Sequence, residues 1–372
     1  MSKHAKPAHI VIDARIRRSS TGRYTDRLLE HLQAVDQYNR YTILIEPDDS
    51  WEPKADNFHA VACPFAQFSL NPFDQFLFAW QLYRLKPDLV HFTMTQQPLL
   101  YFGRIVTTTH DLTMFDFVRR GSTPLLVYRL KMMLYRFLVN SAHHKSRYII
   151  VPTRTVAKEL AAYQPFTTHK TAVTYEACEP SLAQRAEPLP DISGDFLLYV
   201  GTAFPHKNLA RLVEAFDLLH QNFPKLQLVF VGKTEKHYEE LETLAQKHPS
   251  GSAIVFTGFI SDAHVKWLHE HCQAYVYPSL REGYGLTPIE AMADGAPVVS
   301  SNASCMPEIL GDAAYYFNAK SPKDIAEKIA EVLRDPNLRE QLIQKGKQQA
   351  GKYSWGQMAK ETLVVYKAAL SE

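Results

Sequence analysis

At 372 residues the chain is longer than one hydrophobic core usually supports, which points to two domains of fewer than about 200 residues each. Hydrophobic residues make up 46% and charged residues 22%, which excludes a disordered chain. The net charge of +2 hides an asymmetry of about +6 over residues 1–190 and about −4 over the rest, so the first half is the one expected to face anions, and no nucleic-acid partner is expected.

The opening MSKHAKPAHIVIDARI passes from a short polar lead straight into a strand pattern, without an apolar core of signal-peptide length. No apolar run approaches the roughly 20 residues of a spanning helix, and a cytoplasmic location is expected. Strands are predicted at 8–13, 41–46, 88–92, 104–109, 147–152 and 171–175. After the first comes SSTGRY (19–24), a small-residue turn into a helix carrying Leu28, Leu29 and Leu32; Gly22 there allows close approach of a ligand. TTTHDLT (107–113) places His110 and Asp111 at the end of a strand, although a satisfied loop histidine is the default reading of such a dipeptide. Over 129–147, Arg129, Lys131, Arg136, Lys145 and Arg147 interleave with Leu130, Met133, Leu134, Phe137 and Leu138. That pattern fits either a helix resting on anionic lipid headgroups or a half-buried helix with a solvated face.

EPSLAQRAEPLPDISGD (179–195) has no period and reads as a linker, with the domain boundary near residue 185. Beyond it, strands are predicted at 196–201, 226–232, 253–258, 274–278 and 297–301. The helix after the first of these carries Leu209, Leu212, Val213, Phe216 and Leu219 on one stripe, which is core. The alternation of strands and helices in both halves predicts α/β domains with doubly wound parallel sheets, which bind ligands at the carboxyl ends of their strands.

The strongest local signal is REGYGLTPIEAMADGAPVV (281–299), a strand end, glycine loop, helix and strand. Thr287 is placed as helix cap, Pro288 as first helical residue and Glu290 as third, with Gly295 and Pro297 ending the helix. Gly283 and Gly285 around Tyr284 let backbone N–H groups face an anion, and a diphosphate is the candidate. Glu282 and Glu290 stand eight apart, but Thr287 and Glu290 also fit a capping box, in which Glu290 merely satisfies the helix start. In VGTAFPHKNLARLVEAF (200–216), Lys207 sits beside a helix start, where the dipole disfavours a cation unless an anion is bound. His264, His269, His271 and Cys272 lack ligand spacing and read as a solvated helix, and the four dispersed cysteines predict neither disulfide nor zinc.

Taken together, these motifs resemble glycosyltransferase family 4, whose members have the GT-B architecture of two Rossmann-like domains facing across a cleft. The resemblance runs through IDAR with TGRY, KPDLVHF, TTTHDL, the 200–216 segment, FTGFIS, the 281–299 core, MPEILGDAA and YSWGQMAKETLVVY. It implies an acceptor-side domain over 1–185, joined by a C-terminal helix from about 354, and a nucleotide-sugar domain over 186–353. It assigns Glu290 to the nucleotide ribose, Glu282 to the transferred sugar, and Lys207 with the amides of Gly283, Tyr284, Gly285 and Leu286 to the diphosphate. His110 is placed near the reaction centre and Gly22 against donor or acceptor. Gly201, Thr202, His206, Gly232 and Phe259 complete the expected donor site. Thr202 stands where many members have arginine, which shifts phosphate neutralisation onto Lys207, with His206 as helper; Thr153 stands where serine is more frequent.

The implied activity is retaining transfer of a hexose from a nucleotide-diphosphate sugar to a glycan or lipid-linked acceptor, with GDP-mannose the first choice of donor and UDP-sugars next. Neither metal nor separate cofactor is implied. The alternatives are a sugar-nucleotide epimerase, a phosphorylase or a non-catalytic nucleotide-sugar scaffold of the same fold.

Overall fold

The computed structural model describes residues 6–19, 21–65, 71–117, 123–178, 185–190, 192 and 194–371. Ser20 of the SSTGRY turn and much of the predicted linker (179–184, 191 and 193) lie outside the described residues. The chain divides into two units. Unit 1 holds 1–115, 120–176 and 355–372; unit 2 holds 116–119 and 177–354.

Unit 1 contains strands β1 (His9–Asp13), β2 (Arg40–Ile45), β3 (Phe58–Ala62), β4 (Leu89–Phe92), β5 (Ile105–Thr108), β6 (Tyr148–Val151) and β7 (Thr171–Val173). Its helices are α1 (Gly22–Val35), α2 (Pro72–Leu85), the short α3 (Thr113–Asp116), α4 (Leu125–Lys145) and α5 (Arg154–Tyr163). Unit 2 contains β8 (Phe196–Val200), β9 (Gln227–Val231), β10 (Ile254–Gly258), β11 (Ala274–Tyr277), β12 (Val298–Ser301) and β13 (Ala314–Phe317). Between and after these run α6 (Leu209–His220), α7 (Lys236–Ala245), α8 (Asp262–His271), α9 (Leu286–Ala293), α10 (Met306–Leu310), α11 (Pro322–Arg334) and α12 (Pro336–Ala350). The last helix, α13 (Trp355–Ser371), clusters with unit 1 and packs on α1.

Both sheets are parallel and doubly wound, with strand order β3-β2-β1-β4-β5-β6-β7 in unit 1 and β10-β9-β8-β11-β12-β13 in unit 2. In each, the order reverses beside the first strand of the unit, where such folds bind ligands. Continuous burial of the central strands agrees with helices on both faces: Ile10, Val11, Ile12, Leu197, Leu198 and Tyr199 have no exposed surface. The five apolar residues read as a stripe on α6 are all buried, as are Leu28, Leu29 and Leu32 on α1.

Two strands are absent from the sequence prediction, β3 and β13, and each is the outermost strand of its sheet. In β3 only Phe58 of FHAVA is buried, and its two alanines leave the run short of the branched and aromatic residues that mark a strand. The predicted solvated helix around His269 is also corrected. On α8, His269 is buried and its Nδ1 lies 2.8 Å from Oδ2 of Asp294, and Cys272 just beyond is buried with its thiol pushed up to about 12 by burial. A histidine can enter a core when a carboxylate on a neighbouring element accepts its N–H, and the sequence of α8 alone does not display that partner.

Candidate functional site

In unit 2 the site grows from two adjacent strands. β8 and β11 pair directly, and each ends in a loop that carries one of the predicted charged residues. After β8 the chain passes Gly201 and Thr202, makes a single turn at Pro205–Lys207, and reverses at Asn208, whose φ of 62° is left-handed. Asparagine tolerates that conformation, and here its amide also donates to the carbonyls of Pro278 (3.1 Å) and Ala319 (2.8 Å), locking the lysine loop onto the end of β11. The backbone N–H of Leu280 donates to the carbonyl of His206 at 2.8 Å, a second tie between the loops.

That frame brings Lys207 and Glu282 together. The amine donates to Oε1 of Glu282 at 2.7 Å and to the Tyr277 hydroxyl at 3.1 Å, and the hydroxyl donates to the same carboxylate oxygen at 2.8 Å. The pair is mostly shielded, with side-chain exposures of 15% and 10%. Burial alone would lower the amine, but the Glu282 charge outweighs it and holds Lys207 above the ordinary lysine range. Burial would likewise raise the carboxyl, and the charges of Lys207 and then His206 hold Glu282 below the ordinary range. Both groups are therefore charged across neutral pH, in a shielded place where charge interacts strongly.

The loop following Glu282 is held by residues that the sequence reading did not select. Ser304, at φ 55°, accepts from the Glu282 N–H at 3.1 Å and donates back to the Glu282 carbonyl at 2.9 Å. The buried thiol of Cys305 points at the carbonyls of Glu282 and Tyr284, at 3.3 and 3.4 Å. No spacing motif announces these contacts, since they join segments more than 20 residues apart.

Gly285 adopts φ 89° and is itself the N-cap of α9, so the helix begins at Leu286. This corrects the predicted start. Thr287 lies inside the first turn and the cap makes no side-chain hydrogen bond, because the glycine completes the chain reversal two residues earlier than the threonine cap required. The capping-box reading of Glu290 falls with it. Glu290 is partly buried on the first turns of α9, and the backbone from Gly283 to Leu286 runs into that helix start.

The remaining predicted residues of unit 2 divide by environment. His206 is buried and lies parallel to Phe204, their ring centroids 6.0 Å apart. Gly201 and Gly232 sit at the ends of neighbouring strands, where a Cβ on Gly232 would fall 2.2 Å from the Gly201 carbonyl oxygen. Tyr284 turns its ring inward against Tyr353, so that only its backbone is available to a ligand. Thr202 is exposed, and its carbonyl accepts from the Tyr199 hydroxyl at 2.8 Å. Phe259, 82% exposed, follows β10.

In unit 1, His110 follows β5. Its Nε2 lies 3.0 Å from the Thr93 carbonyl, its Nδ1 3.4 Å from Glu176, and its ring meets the edge of Tyr24 at 4.8 Å. A carbonyl can only accept, so Nε2 carries a proton. The buried Glu176, at the end of the predicted strand 171–175, is the partner that the sequence reading missed. Gly22 has a different explanation from the one expected: a Cβ there would stand 1.8 Å from the Arg17 carbonyl oxygen. The glycine is required by contact with its own chain, and no ligand need be invoked for it.

Among the described residues no cluster of histidine, cysteine and carboxylate side chains has the arrangement of a metal site.

Comparison with known proteins bears on the family and the fold. Residues 21–182 match the family model "Glycosyltransferase Family 4" and residues 183–349 match "Glycosyl transferases group 1". The chain is 28% identical over 276 residues to the O-antigen chain mannosyltransferase B of Escherichia coli, an alignment covering 71% of this chain and 70% of that protein. It is 32% identical over 186 residues to the serotype-specific mannosyltransferase WbdA of Escherichia coli, covering 48% of this chain but 22% of that longer protein. Among solved structures, sucrose-phosphate synthase from Thermosynechococcus elongatus superposes with a TM-score of 0.75 at 16% identity, covering 97% of this chain and 98% of that one. The Anabaena protein HepE, solved with UDP and glucose, gives 0.73 at 13% identity, covering 97% and 99%. The two structures attest the fold, and the two family models between them take in nearly the whole chain: the protein belongs to the family 4 type of glycosyltransferases and has the GT-B fold of two Rossmann-like domains.

Proposed function

We propose that this glycosyltransferase moves mannose from GDP-mannose, with retention of anomeric configuration and without a metal ion, to a glycan or lipid-linked acceptor in the synthesis of a cell-surface polysaccharide. The observation that carries the reading is the shielded Lys207–Glu282 pair at the carboxyl ends of β8 and β11, beside the glycine loop that opens α9. The mannosyltransferase names of the relatives favour mannose over other hexoses.

In this reading a donor diphosphate competes with Glu282 for the Lys207 amine and receives backbone N–H groups from 283–286. The carboxylate, drawn off the amine, accepts from hydroxyls of the sugar, and Glu290 accepts from the ribose. Cleavage of the sugar–phosphate bond builds negative charge on the leaving diphosphate, and a fixed cation with fixed N–H groups stabilises that charge without reorganising. Lys207 answers for charge neutralisation at the position where Thr202 replaces the arginine of other members.

Thermal denaturation with GDP, UDP, ADP and dTDP tests the donor, because a nucleotide at 100 times its Kd stabilises by about 2.7 kcal/mol. GDP is expected to be the sole responder. Lys207→Ala should shrink that shift, and Glu282→Ala should keep it while transfer from GDP-mannose is lost. A response to UDP instead would reassign the donor, and full activity in both variants would remove the site.

A further inference from the structure

Eighteen large hydrophobic side chains stand exposed among the described residues, and thirteen of them fall in three segments of unit 1: α2, the 98–102 loop and α4. On α4, Leu126, Leu130, Met133 and Phe137 recur at helical spacing on the exposed side, with Leu126 at 79% exposure. On α2, Phe73, Phe76, Trp80 and Tyr83 do the same. These are two apolar stripes that the core does not use.

The segments form one face. The crossovers β3 to β4 and β5 to β6 run in the same direction along the sheet, so right-handed connections put α2 and α4 on the same side, opposite α1. The 98–102 loop is fastened to both helices. The Tyr83 hydroxyl donates to the Leu100 carbonyl at 3.2 Å and accepts from the Phe102 N–H at 3.0 Å, while Lys145 at the end of α4 donates to the carbonyls of Pro98 and Leu99 at 2.6 and 3.3 Å. Burial pushes that amine down to about 8, which marks Lys145 as an internal clamp. Phe102, 70% exposed, projects from the clamped loop.

The charge on this face has one sign. Arg129 and Arg136 lie seven apart along one edge of the α4 stripe, Lys131 lies on its other side, and Arg84 sits over the Trp80 ring at 4.7 Å. All four cations are exposed, and the three segments carry no exposed carboxylate. Apolar stripes flanked by cations, with tryptophan and tyrosine among them, fit the boundary between headgroups and acyl chains of an anionic bilayer. No helix among the described residues is long and apolar enough to cross a membrane, so the helices would lie in the interface.

We infer that α2, α4 and the 98–102 loop dock unit 1 on a bilayer rich in anionic lipid, the apolar stripes entering the interface and the four cations meeting headgroup phosphates. The inference goes beyond the proposed transfer reaction and is tested without donor or acceptor. The full chain is sedimented with phosphatidylcholine vesicles, with and without phosphatidylglycerol, at low and high salt. Binding should require phosphatidylglycerol and weaken with salt. The pairs Phe76→Ser with Trp80→Ser and Leu130→Ser with Phe137→Ser should each reduce it by about tenfold or more, while Leu218→Ser on α6 leaves it unchanged. In the unsubstituted chain, lipids brominated on their acyl chains should quench the fluorescence fraction lost on Trp80→Phe, a readout that survives if the paired variants fail to fold. Failure to sediment, binding indifferent to phosphatidylglycerol, or no quenching of Trp80 overturns the assignment. A lipid-independent dimer broken by the same pairs gives the face to a second copy and overturns it as well.

Discussion

The two units share a topology and each shields an ion pair, Arg15 with Asp13 at the end of β1 and Lys207 with Glu282 after β8 and β11. The pairs differ in reach, with side-chain exposures of 2% and 1% in the first and 15% and 10% in the second. Unit 2 also sets histidines against carboxylates, His269 against Asp294 in the core and the partly exposed His248 against Asp217. In unit 1 two histidines are held uncharged inside the sheet layers. His91 contacts the Tyr366 hydroxyl at 2.6 Å and the Thr108 hydroxyl at 2.8 Å, which ties α13 to the strands, and burial followed by the nearby His110 pushes it down to about 3. His143 contacts Thr109 and Gln164 and is pushed down to about 4, chiefly by burial. A neutral hydrogen-bonded core supports a sheet, whereas a shielded cation whose partner can be displaced is suited to an anionic ligand. The proposed donor chemistry rests on the second kind of group, the Lys207–Glu282 pair of unit 2.

The largest expected effect comes from breaking the ion pair on one side. Lys207→Ala leaves Glu282 charged in a shielded place and should destabilise unit 2 by about 3 to 5 kcal/mol. Losing the cation should also slow transfer by about a hundredfold or more, in the manner of a lost oxyanion donor. Replacing both partners, Lys207→Met with Glu282→Leu, should restore most of the stability and none of the activity. Denaturant unfolding and transfer assays on the three proteins separate the roles; a stable, active Lys207→Ala variant would show that the pair is ornamental.

Acid should separate the units next. For His91 and His143 the folded pKa lies below the unfolded 6.5, so between 6.5 and about 3 the unfolded chain binds protons that the folded unit excludes. Stability of unit 1 therefore falls as pH drops through that window. In unit 2 the carboxyls of Glu282 and Asp217 are held below their ordinary values, 4.5 and 3.8, and their contribution persists until pH falls beneath those values. Hydrogen exchange followed by mass spectrometry at pH 5 should show β4, β5 and β6 opening ahead of β8, β11 and β12. The reverse order would contradict the neutral-histidine account.

How much of this could be read from the chain follows the same division. The central strands, the α6 stripe and the Glu282, Glu290 and Lys207 motifs are local patterns, visible because the residues that define them lie within a few turns of one another. What the pattern hid is long-range. Glu176 beside His110, Ser304 beneath Glu282, Asn208 bridging to Pro278 and Ala319, and Asp294 against His269 all join distant segments. The start of α9 departs from the one that the sequence predicts because the left-handed turn at Gly285 reverses the chain before Thr287 can act as a cap. Half of the exposed face on unit 1 was legible in the basic segment 129–147. The other half, on α2, was not, since PFDQFLFAWQLYRL is apolar on nearly every side and its periodicity is faint.

A pair of glutamates gives the finest version of the contrast. Glu282 in unit 2 is held low by a lysine, whereas Glu159 on α5 in unit 1 is pushed up to about 7, first by burial and then by the Asp111 carboxylate. For Glu159 the folded pKa exceeds the unfolded value of 4.5, so the folded unit binds the proton more tightly, and stability falls as pH rises from 4.5 to about 7. Its effect runs opposite to that of the two histidines. Glu159→Gln removes the charge while keeping the shape, and should stabilise the protein by on the order of 1 to 2 kcal/mol at pH 8, a figure reduced from the full shift because the side chain is only partly buried. At pH 4.5 the two proteins should melt together. The equivalent change in unit 2, Glu282→Gln, should move stability the other way, because it strips a charged lysine of its partner. Equal shifts for Glu159→Gln at both pH values would mean that the gain has a source other than charge, and the contrast between the two units would then lose its sharpest example.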